Sequence, residues 1–587
     1  MTTAAVLLAL LGPVVAGWLL VKRLWPEVQP GSRFGFGVAI GLALAGTTYF
    51  FALILSDSSM IALASSEILL GCAVFGSLWK RPLPRPRMHR RSGSRLYVCA
   101  AVITIILAGT AFLFALDSVR HGGSDALVIW NLRARLIATS RESPLSAVFD
   151  TAFSGLHPDY PLLVPSLVAR GWLYAGSGVD AVPIALAALF TLSTIVIVVA
   201  GLREVTTSSQ GWVAGCILLG TPFLLAHGAS QYADIVECCF ITAAVVLYCI
   251  YDNADDKHRG LPALAGLMAA AAACTKNEGI LFLMVLLASR VVAGIVRRSS
   301  ADTKTELFKF GGGASFGLIT LAVYKLFLAP PNDTIPLTTL QELFGHAMNG
   351  ANNREVAKGM LAYLDFGEWS FSPVPLMATH VAMTWTSAGS WRSRIAPWFT
   401  PAFVIFAMSG GIYMVYLLSP YNIEAHIQSS LNRLMLQLWP SLVILYSMIV
   451  SPLSPRAASS TSKTAVLLRL LVVLTIILST PLWFPTEDKP IGTDTKAPHI
   501  DVSRRAVTTG DTYFLKITGI AGPHAYVSYS IDGEPMGQFR VYLGAKGSID
   551  LHVSPGTRRG LYRFLAIRSL ESQAWIPFEN DASIDVR

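Results

Sequence analysis

Five short polar stretches interrupt an otherwise apolar sequence, and their residue types suit acid–base chemistry and anion binding. They are GSDALVIWNLRAR around Asp125, HPDYPLLVP around Asp159, QYADIVE around Asp234, TKNEG around Lys276 and PYNIEAHIQSSLNRL around Arg433. A positioned carboxylate can take the proton of a hydroxyl group. Lysine holds phosphate as a point charge, and arginine holds it through two parallel hydrogen bonds. Together the stretches predict a polar pocket that handles an acidic substrate.

The first stretch places Asp125 directly before an amphipathic segment, ALVIWNLRARLIA at 126–138. The apolar residues of this segment, including Trp130, share one face at helical spacing, so it is expected to lie flat in a membrane interface. Its Arg133 is a candidate ligand of a substrate phosphate. Asp125 is the candidate catalytic base over a cavity. The alternative is a simple helix cap, since a carboxylate is favoured at a helix N-terminus.

The second stretch carries three prolines within eight residues, which makes it a rigid, extended turn at its start. His157, Asp159 and Tyr160 lie on this turn and are candidates for a second wall of the pocket, facing the acceptor. The alternative is a proline-braced turn with local hydrogen bonds only.

The third stretch holds Asp234 and Glu237 at i, i+3 spacing, so both face one side of a helix near the end of an apolar run. Ionisable side chains at membrane depth usually face a water-filled cavity. This pair could bind a cation, orient an arginine or contact substrate hydroxyls, and a structural ion pair is the alternative. We expect no cofactor and no metal. A divalent cation shared with His157 and Asp159 is the competing possibility.

The fourth stretch, TKNEG, sets Lys276 and Glu278 between two apolar runs. Lys276 could neutralise a phosphate while Glu278 fixes its position. A lysine that extends to the membrane surface is the alternative.

The fifth stretch supplies Tyr421, His426 and Arg433 and continues into an apolar run. Arg433 has no adjacent acid in the sequence and could grip a phosphate bidentately. Tyr421 and His426 are candidate contacts of the same donor group. Interfacial anchoring of Arg433 is the alternative.

The elements that must position these residues are membrane helices. The chain has 587 residues, is 53% hydrophobic and only 14% charged, which is too apolar for an ordinary soluble protein. Apolar runs of about 18 or more residues are candidate membrane spans, and we count about fourteen such runs, two or three of them short. We interpret the first as a retained helix rather than a signal peptide. The runs are 2–21, 34–55, 59–79, 96–116, 181–201, 212–227, 234–251, 261–274, 279–296, 310–329, 373–387, 395–418, 437–452 and 465–484.

The distribution of basic residues predicts the orientation. KRPLPRPRMHRRSGSR at 80–95 has seven Lys or Arg residues and no acid, so it is expected in the cytoplasm. Counting spans from there places all five polar stretches on the outer face. The net charge of +9 is therefore expected to reflect orientation and anionic lipid rather than nucleic acid. The seven cysteines lie in or beside the apolar runs and predict no disulfide framework.

The chain divides into two parts by composition. Residues 1–484 form the predicted membrane domain, and 485–500 form a predicted linker. Residues 501–587 contain six or seven short runs rich in β-branched and aromatic residues, separated by turn residues. They predict a C-terminal, extracytoplasmic all-β antiparallel sandwich, similar to an immunoglobulin domain.

Taken together, the five stretches resemble those of the GT-C superfamily of integral-membrane glycosyltransferases, in particular bacterial relatives of the protein O-mannosyltransferases and aminoarabinose transferases. The resemblance covers roughly residues 96–450. It implies a GT-C-like helical fold, a polyprenyl-phosphate sugar as donor, and Asp125 as the acidic residue of the first outer loop. Two features depart from the family pattern: three predicted helices precede the one that leads into this loop, and the loop reads GGSD rather than a pair of acids. A second carboxylate would then be Asp159 or Asp234.

The function that follows is a membrane glycosyltransferase of the bacterial cytoplasmic membrane, with its site on the outer face. A hydroxyl of a glycan, lipid or protein acceptor, deprotonated by Asp125, would attack the sugar with inversion while Lys276 and Arg433 stabilise the departing phosphate. Two alternatives from other classes are a transporter or flippase of lipid-linked sugars and a non-catalytic envelope assembly protein. No nucleotide-binding loop of the P-loop type occurs in the sequence.

Overall fold

The structure is a computed structural model, and it divides the chain into two compact units, residues 1–483 and 484–587. The residues that the structure describes are 2–78, 95–140, 143–149, 157–253, 260–297, 300–332, 345, 348–367, 369, 371–386, 392–419, 422–451, 463–479, 499–502, 506–507, 512–518, 524–531, 534–542, 548–552, 560–569 and 576–586.

The first unit is helical throughout its described elements. Two short π-helical turns, Ala126–Trp130 and Ile427–Leu431, precede α5 and α19 respectively. The α-helices in chain order are α1 Thr2–Leu24, α2 Pro30–Ile54, α3 Ser59–Leu78, α4 Arg95–Ser118, α5 Asn131–Thr139, α6 Pro144–Val148, α7 Leu163–Ala175, α8 Ala181–Val205, α9 Ser208–Leu219, α10 Pro222–Ala229, α11 Ala233–Asn253, α12 Leu261–Ala273, α13 Asn277–Arg297, α14 Ser300–Phe327, α15 Gly350–Ala362, α16 Val374–Thr386, α17 Arg392–Leu418, α18 Ile423–His426, α19 Asn432–Ile449 and α20 Lys463–Ser479.

The helices are those of a polytopic membrane protein. Outward-facing positions of α4 carry large apolar side chains such as Ile106 and Leu113, which suit contact with lipid. By contrast, the membrane-length part of α11 is buried completely among other helices. Since α11 begins with Ala233 and Asp234, this central helix brings carboxylates into the interior of the bundle.

The predicted number of membrane spans is wrong. Within the described residues, nine helices are long and apolar enough to cross a membrane, or ten if α9 and α10 form one bent span. The sequence count of about fourteen included α12 and α16, which have 13 residues each and are shorter than the roughly 20 residues that a span needs. It also included α19, whose first turn is polar at Asn432 and Arg433.

The bend between α9 and α10 has a local cause. The two helices meet at 63°, where Gly220 and Thr221 separate α9 from Pro222, the first residue of α10. Proline is tolerated at a first helical position but cannot continue a helix. Trp439 of α19 donates to the Thr221 hydroxyl at 3.0 Å, which fixes the bend against the bundle.

The second unit contains eight strands. They are β1 His499–Val502, β2 Ala506–Val507, β3 Thr512–Thr518, β4 His524–Ile531, β5 Glu534–Tyr542, β6 Ser548–His552, β7 Gly560–Ser569 and β8 Ile576–Val586. One sheet has the order β1-β3-β6 and the other β2-β8-β7-β4-β5.

The predicted fold class combined about fourteen spans with a C-terminal all-β antiparallel sandwich. The prediction of the sandwich is contradicted as well. The pairing of β2 with β8 is parallel, through Ala506 with Asp585 and Val507 with Val586. The described strands therefore do not form the all-antiparallel sandwich that the sequence predicted.

Candidate active site

Asp125 lies at a turn that only glycine can form. Gly122 has a φ of +86°, and a Cβ at Gly123 would lie 2.5 Å from the Tyr232 hydroxyl. The chain therefore passes close to the link between α10 and α11 before the π-helical turn begins. Asp125 makes no side-chain capping bond to the following helix. Its carboxylate is ion-paired with Arg433 instead, which removes capping as the explanation for this residue.

Five charged side chains form an alternating chain at this end of the bundle, which we call the ion chain: Asp125, Arg433, Asp234, Lys276 and Glu278. Arg433 contacts Asp125 and lies 3.7 Å from the second oxygen of Asp234. The Lys276 ammonium lies 2.9 Å from Asp234 and 3.1 Å from Glu278. These residues lie on separate elements: the loop after α4 (Asp125), α11 (Asp234), the link between α12 and α13 (Lys276), α13 (Glu278) and α19 (Arg433). The ion chain therefore forms only when these elements pack together.

Arg433 is held in place from several sides. It stands in the first turn of α19, just after a π-helical turn, and donates to the carbonyl of Ser429 at 3.0 Å. Its guanidinium lies 5.2 Å from the centre of the Tyr232 ring, a cation–π contact. Burial raises the pKa of the Tyr232 hydroxyl, so this residue presents a neutral phenol.

Lys276 occupies a tight link between α12 and α13. A Cβ at Gly279 would lie 2.0 Å from the carbonyl oxygen of Ala272, so glycine allows the two helices to approach there. The side chain of Lys276 is only 7% exposed. Burial opposes its charge, but Asp234 and Glu278 outweigh burial and hold the pKa of the ammonium well above its usual value. Lys276 is therefore a permanent cation.

A second polar cluster surrounds Asp159. One oxygen of its carboxylate, Oδ2, accepts hydrogen bonds from Lys325 at 3.0 Å, Asn277 at 2.9 Å and Asn332 at 2.8 Å. Lys325 also donates to the Asn277 amide oxygen at 2.8 Å. Lys325 and Asn332 were not predicted from the sequence, and Asn277 belongs to the TKNEG stretch but had no predicted role. The available signal was a lysine near the end of the apolar run 310–329, since a charge there usually faces the protein interior.

Aromatic rings join the Asp159 cluster to the ion chain. Tyr160 stacks between His157 and Trp130, with ring centres 4.8 Å and 5.7 Å away. The Lys276 ammonium lies 5.8 Å from the centre of the same Tyr160 ring. The second wall predicted from HPDYPLLVP therefore lies beside Lys276.

Glu237 lies one turn after Asp234 and is 0% exposed. Neither of its carboxyl oxygens has a hydrogen-bond partner in the part of the chain that the structure describes. The charged groups around it are Glu278, Lys276 and Asp234. An ionised carboxylate without a donor is very costly inside a protein, so Glu237 is suited to hold a proton rather than to form an ion pair.

The remaining predicted residues lie at the margin. Arg133 is buried and donates to the carbonyl of His157 at 2.6 Å, so its visible contact braces the turn of the second wall. His426 packs against Tyr416, with ring centres 4.5 Å apart. Tyr421 lies outside the described residues. Contact of these three with a donor phosphate stays a prediction.

No group of three His, Cys, Asp or Glu side chains arranged to hold a metal ion is found among the described residues. The carboxylates of the ion chain have basic partners instead, and Asp159 is occupied by amides and Lys325. The arrangement can exchange a proton through Asp125 and can present two cations to an anion.

A comparison with known protein families matches part of the chain. The sequence profile of the family described as dolichyl-phosphate-mannose-protein mannosyltransferase matches residues 159–322. The matched segment runs from Asp159 into α14 and includes Asp234, Lys276 and Glu278. It confirms the resemblance to the GT-C superfamily and indicates a membrane glycosyltransferase. No curated protein and no solved structure matches the chain.

Proposed function

We propose that this chain, a relative of the GT-C membrane glycosyltransferases, transfers a sugar from a polyprenyl-phosphate-linked donor to a hydroxyl group of an acceptor. The observation that carries the proposal is the ion chain, which connects a partly exposed carboxylate with a half-buried guanidinium and a buried ammonium. A base and a phosphate-binding pair are the two functions that such a transfer needs.

The proposed reaction breaks the bond between the anomeric carbon and the phosphate oxygen of the donor. The acceptor oxygen forms the new bond to that carbon, and its proton passes to Asp125. The polyprenyl phosphate leaves with the electron pair of the broken bond. Preorganised cations that face the developing charge on a leaving group lower the barrier most effectively, and Arg433 and Lys276 are the cations placed to do so.

Without a donor, the cations and the carboxylates neutralise one another. A phosphate that contacts Arg433 would compete with Asp125 for the same guanidinium, because this residue pairs with Arg433 directly. Donor binding would thereby release the Asp125 carboxylate to accept a proton. Asp125 has the more exposed side chain of this pair, at 26%, which fits a group that must reach an acceptor.

The second wall fits recognition of sugar or acceptor hydroxyls. Asp159, Asn277 and Asn332 offer both acceptors and donors beside Tyr160, and aromatic rings commonly support apolar faces of a ligand. The site is proposed to open on the outer face of a bacterial cytoplasmic membrane, as the basic loop 80–95 predicts.

The test is a comparison of donor classes with the purified full-length protein. Polyprenyl-phosphate sugars should give labelled product with a membrane extract of acceptors, and nucleotide sugars should not. Arg433→Gln should reduce transfer, whereas Lys358→Gln, which removes an exposed cation distant in sequence, should not. Transfer from nucleotide sugars alone would overturn the proposal.

A further inference from the structure

Arg469 of α20 is a buried cation that lacks a carboxylate partner in the part of the chain that the structure describes. It is 7% exposed, and its guanidinium donates to the carbonyl of Val450 at 2.8 Å. Within the described residues, the Nε atom of Arg469 has no hydrogen-bond partner and its guanidinium forms no ion pair. An ionisable side chain at membrane depth is costly and usually faces a partner or a ligand.

Two polar aromatic residues lie on helices that pack against α20, the helix of Arg469. They are Tyr97 on α4 and His380 on α16, and Tyr446 of α19 joins them through a hydrogen bond with His380. His380 is 1% exposed, its Nδ1 is 3.0 Å from the Tyr446 hydroxyl, and its Nε2 has no partner among the described residues. The cluster therefore contains a permanent cation, two hydroxyls and an unused imidazole nitrogen.

This cluster lies at the opposite end of the bundle from the ion chain. Tyr97 is in the first turn of α4, whose other end leads to Asp125, and Tyr446 is in the last turn of α19, whose first turn carries Arg433. Each of these helices separates the two ends by about 20–30 Å, at 1.5 Å per residue. The cluster is thus near the head-group level of the other leaflet.

Three segments that adjoin the helices around Arg469 contain no acidic residue. The segments next to α4, α16 and α20 at this end are 79–94, 387–391 and 452–462, and none contains Asp or Glu. Arg290 at the same end shows the contrast, because Asp252 and Glu306 bind its guanidinium at 2.7 Å and 2.6 Å. Capping of the α19 carbonyls explains one contact of Arg469, but within the described residues the Nε atom and the positive charge have no partner.

The surroundings of the cluster suit lipid chains. Val466 and Leu467 precede Arg469 on α20, and Leu96 and Val98 flank Tyr97 on α4; all four present exposed apolar side chains. Lysine- and arginine-rich segments beside membrane helices attract anionic lipids, and 79–94 has six such residues and no acid.

We propose that Arg469, Tyr97, Tyr446 and His380 bind the phosphate of an anionic phospholipid from the leaflet opposite the ion chain. Arg469 supplies the charge, the phenols and the imidazole supply hydrogen bonds, and the exposed apolar residues of α4 and α20 contact the acyl chains. The site is independent of the transferase reaction.

The test uses the purified full-length protein in a neutral detergent. Native mass spectrometry counts bound lipid as phosphatidylglycerol, phosphatidylcholine or inorganic phosphate is added. Wild type and Lys304→Gln, which removes an exposed charge at the same end, should bind phosphatidylglycerol in preference to phosphatidylcholine. Arg469→Gln should lose about tenfold or more in affinity, since hydrogen bonds to charged groups contribute that much.

Three results would overturn the proposal. They are equal binding of phosphatidylglycerol by Arg469→Gln and wild type, equal binding of both lipids by wild type, and saturation of the site by inorganic phosphate alone. If Arg469→Gln does not fold, His380→Ala replaces it. This variant keeps the cation and should bind phosphatidylglycerol more weakly than wild type, and undiminished binding would count against the site.

Discussion

Replacement of Lys276 by glutamine should destabilise the protein severely. The ammonium lies 2.9 Å from Asp234 and 3.1 Å from Glu278, and its side chain is almost completely buried. The amide of the introduced glutamine could still donate one hydrogen bond, but the two carboxylates would lose their shared positive charge. Burial makes this loss large because little water reaches the carboxylates to replace it.

The magnitude follows from the two distances. At an effective dielectric constant of about 20, each contact corresponds to a gross attraction of about 5 kcal/mol. Desolvation of the three groups offsets most of that attraction, and removal of one partner from a buried pair typically costs about 3–5 kcal/mol. We therefore expect Lys276→Gln to lower the free energy of unfolding by about 3–5 kcal/mol.

The control is Lys358→Gln, because Lys358 also forms an ion pair, with Glu355 at 2.8 Å, but its side chain is 64% exposed. An exposed pair contributes less than about 1 kcal/mol. Unfolding in mixed micelles of increasing SDS fraction, followed by tryptophan fluorescence, measures both variants against wild type. Equal and small effects of the two substitutions on the free energy of unfolding would refute the inference that Lys276 forms buried ion pairs.

Three further predictions concern the same residues. Arg433→Lys keeps the charge but loses the planar fork that contacts Asp125, so the donor KM should rise roughly 10- to 100-fold; an unchanged KM in the transfer assay would count against a phosphate contact. The difference in free energy of unfolding between Lys276→Gln and wild type should be constant from neutral pH to about pH 10, the ordinary pKa of lysine. The reason is that the raised pKa of Lys276 keeps its ion pairs intact until the pH passes that pKa in the folded protein. Unfolding at several pH values measures this difference, and a difference that shrinks below about pH 9 would contradict the prediction. Glu237→Gln should change the free energy of unfolding by less than about 1 kcal/mol and retain transfer, since no donor in the described residues contacts the carboxyl group; loss of transfer in a folded Glu237→Gln protein would show that the ionised carboxylate is required.

The types of the site residues could be read from the sequence, but their pairing could not. Asp125 and Arg433 stand 308 positions apart, and no local periodicity relates them. The same limit applies to Lys325, whose partner Asp159 precedes it by 166 positions. The basic segment 80–95 and the order of the apolar runs predicted that the polar stretches would lie on one face.

The errors in the fold have physical causes as well. Apolar composition does not distinguish a span from a shorter buried helix, and α12 is apolar throughout its 13 residues because it packs inside the bundle. Short runs of β-branched and aromatic residues between turn residues predicted strands in 501–587, and strands occur there. Such composition says nothing about the direction in which strands pair, so the parallel β2–β8 pair was not foreseen.

The central claim is that Asp125 accepts the acceptor proton in a sugar transfer. The most direct measurement is transfer from radiolabelled polyprenyl-phosphate sugars to a membrane acceptor extract by wild type, Asp125→Asn and Asp117→Asn. Asp117 is an exposed carboxylate in the last turn of α4, the end of this helix that leads to Asp125, and it serves as the matched control. Wild type and Asp117→Asn should transfer sugar, and a folded Asp125→Asn protein should be slower by about 100- to 10,000-fold. Undiminished transfer by Asp125→Asn would contradict the account.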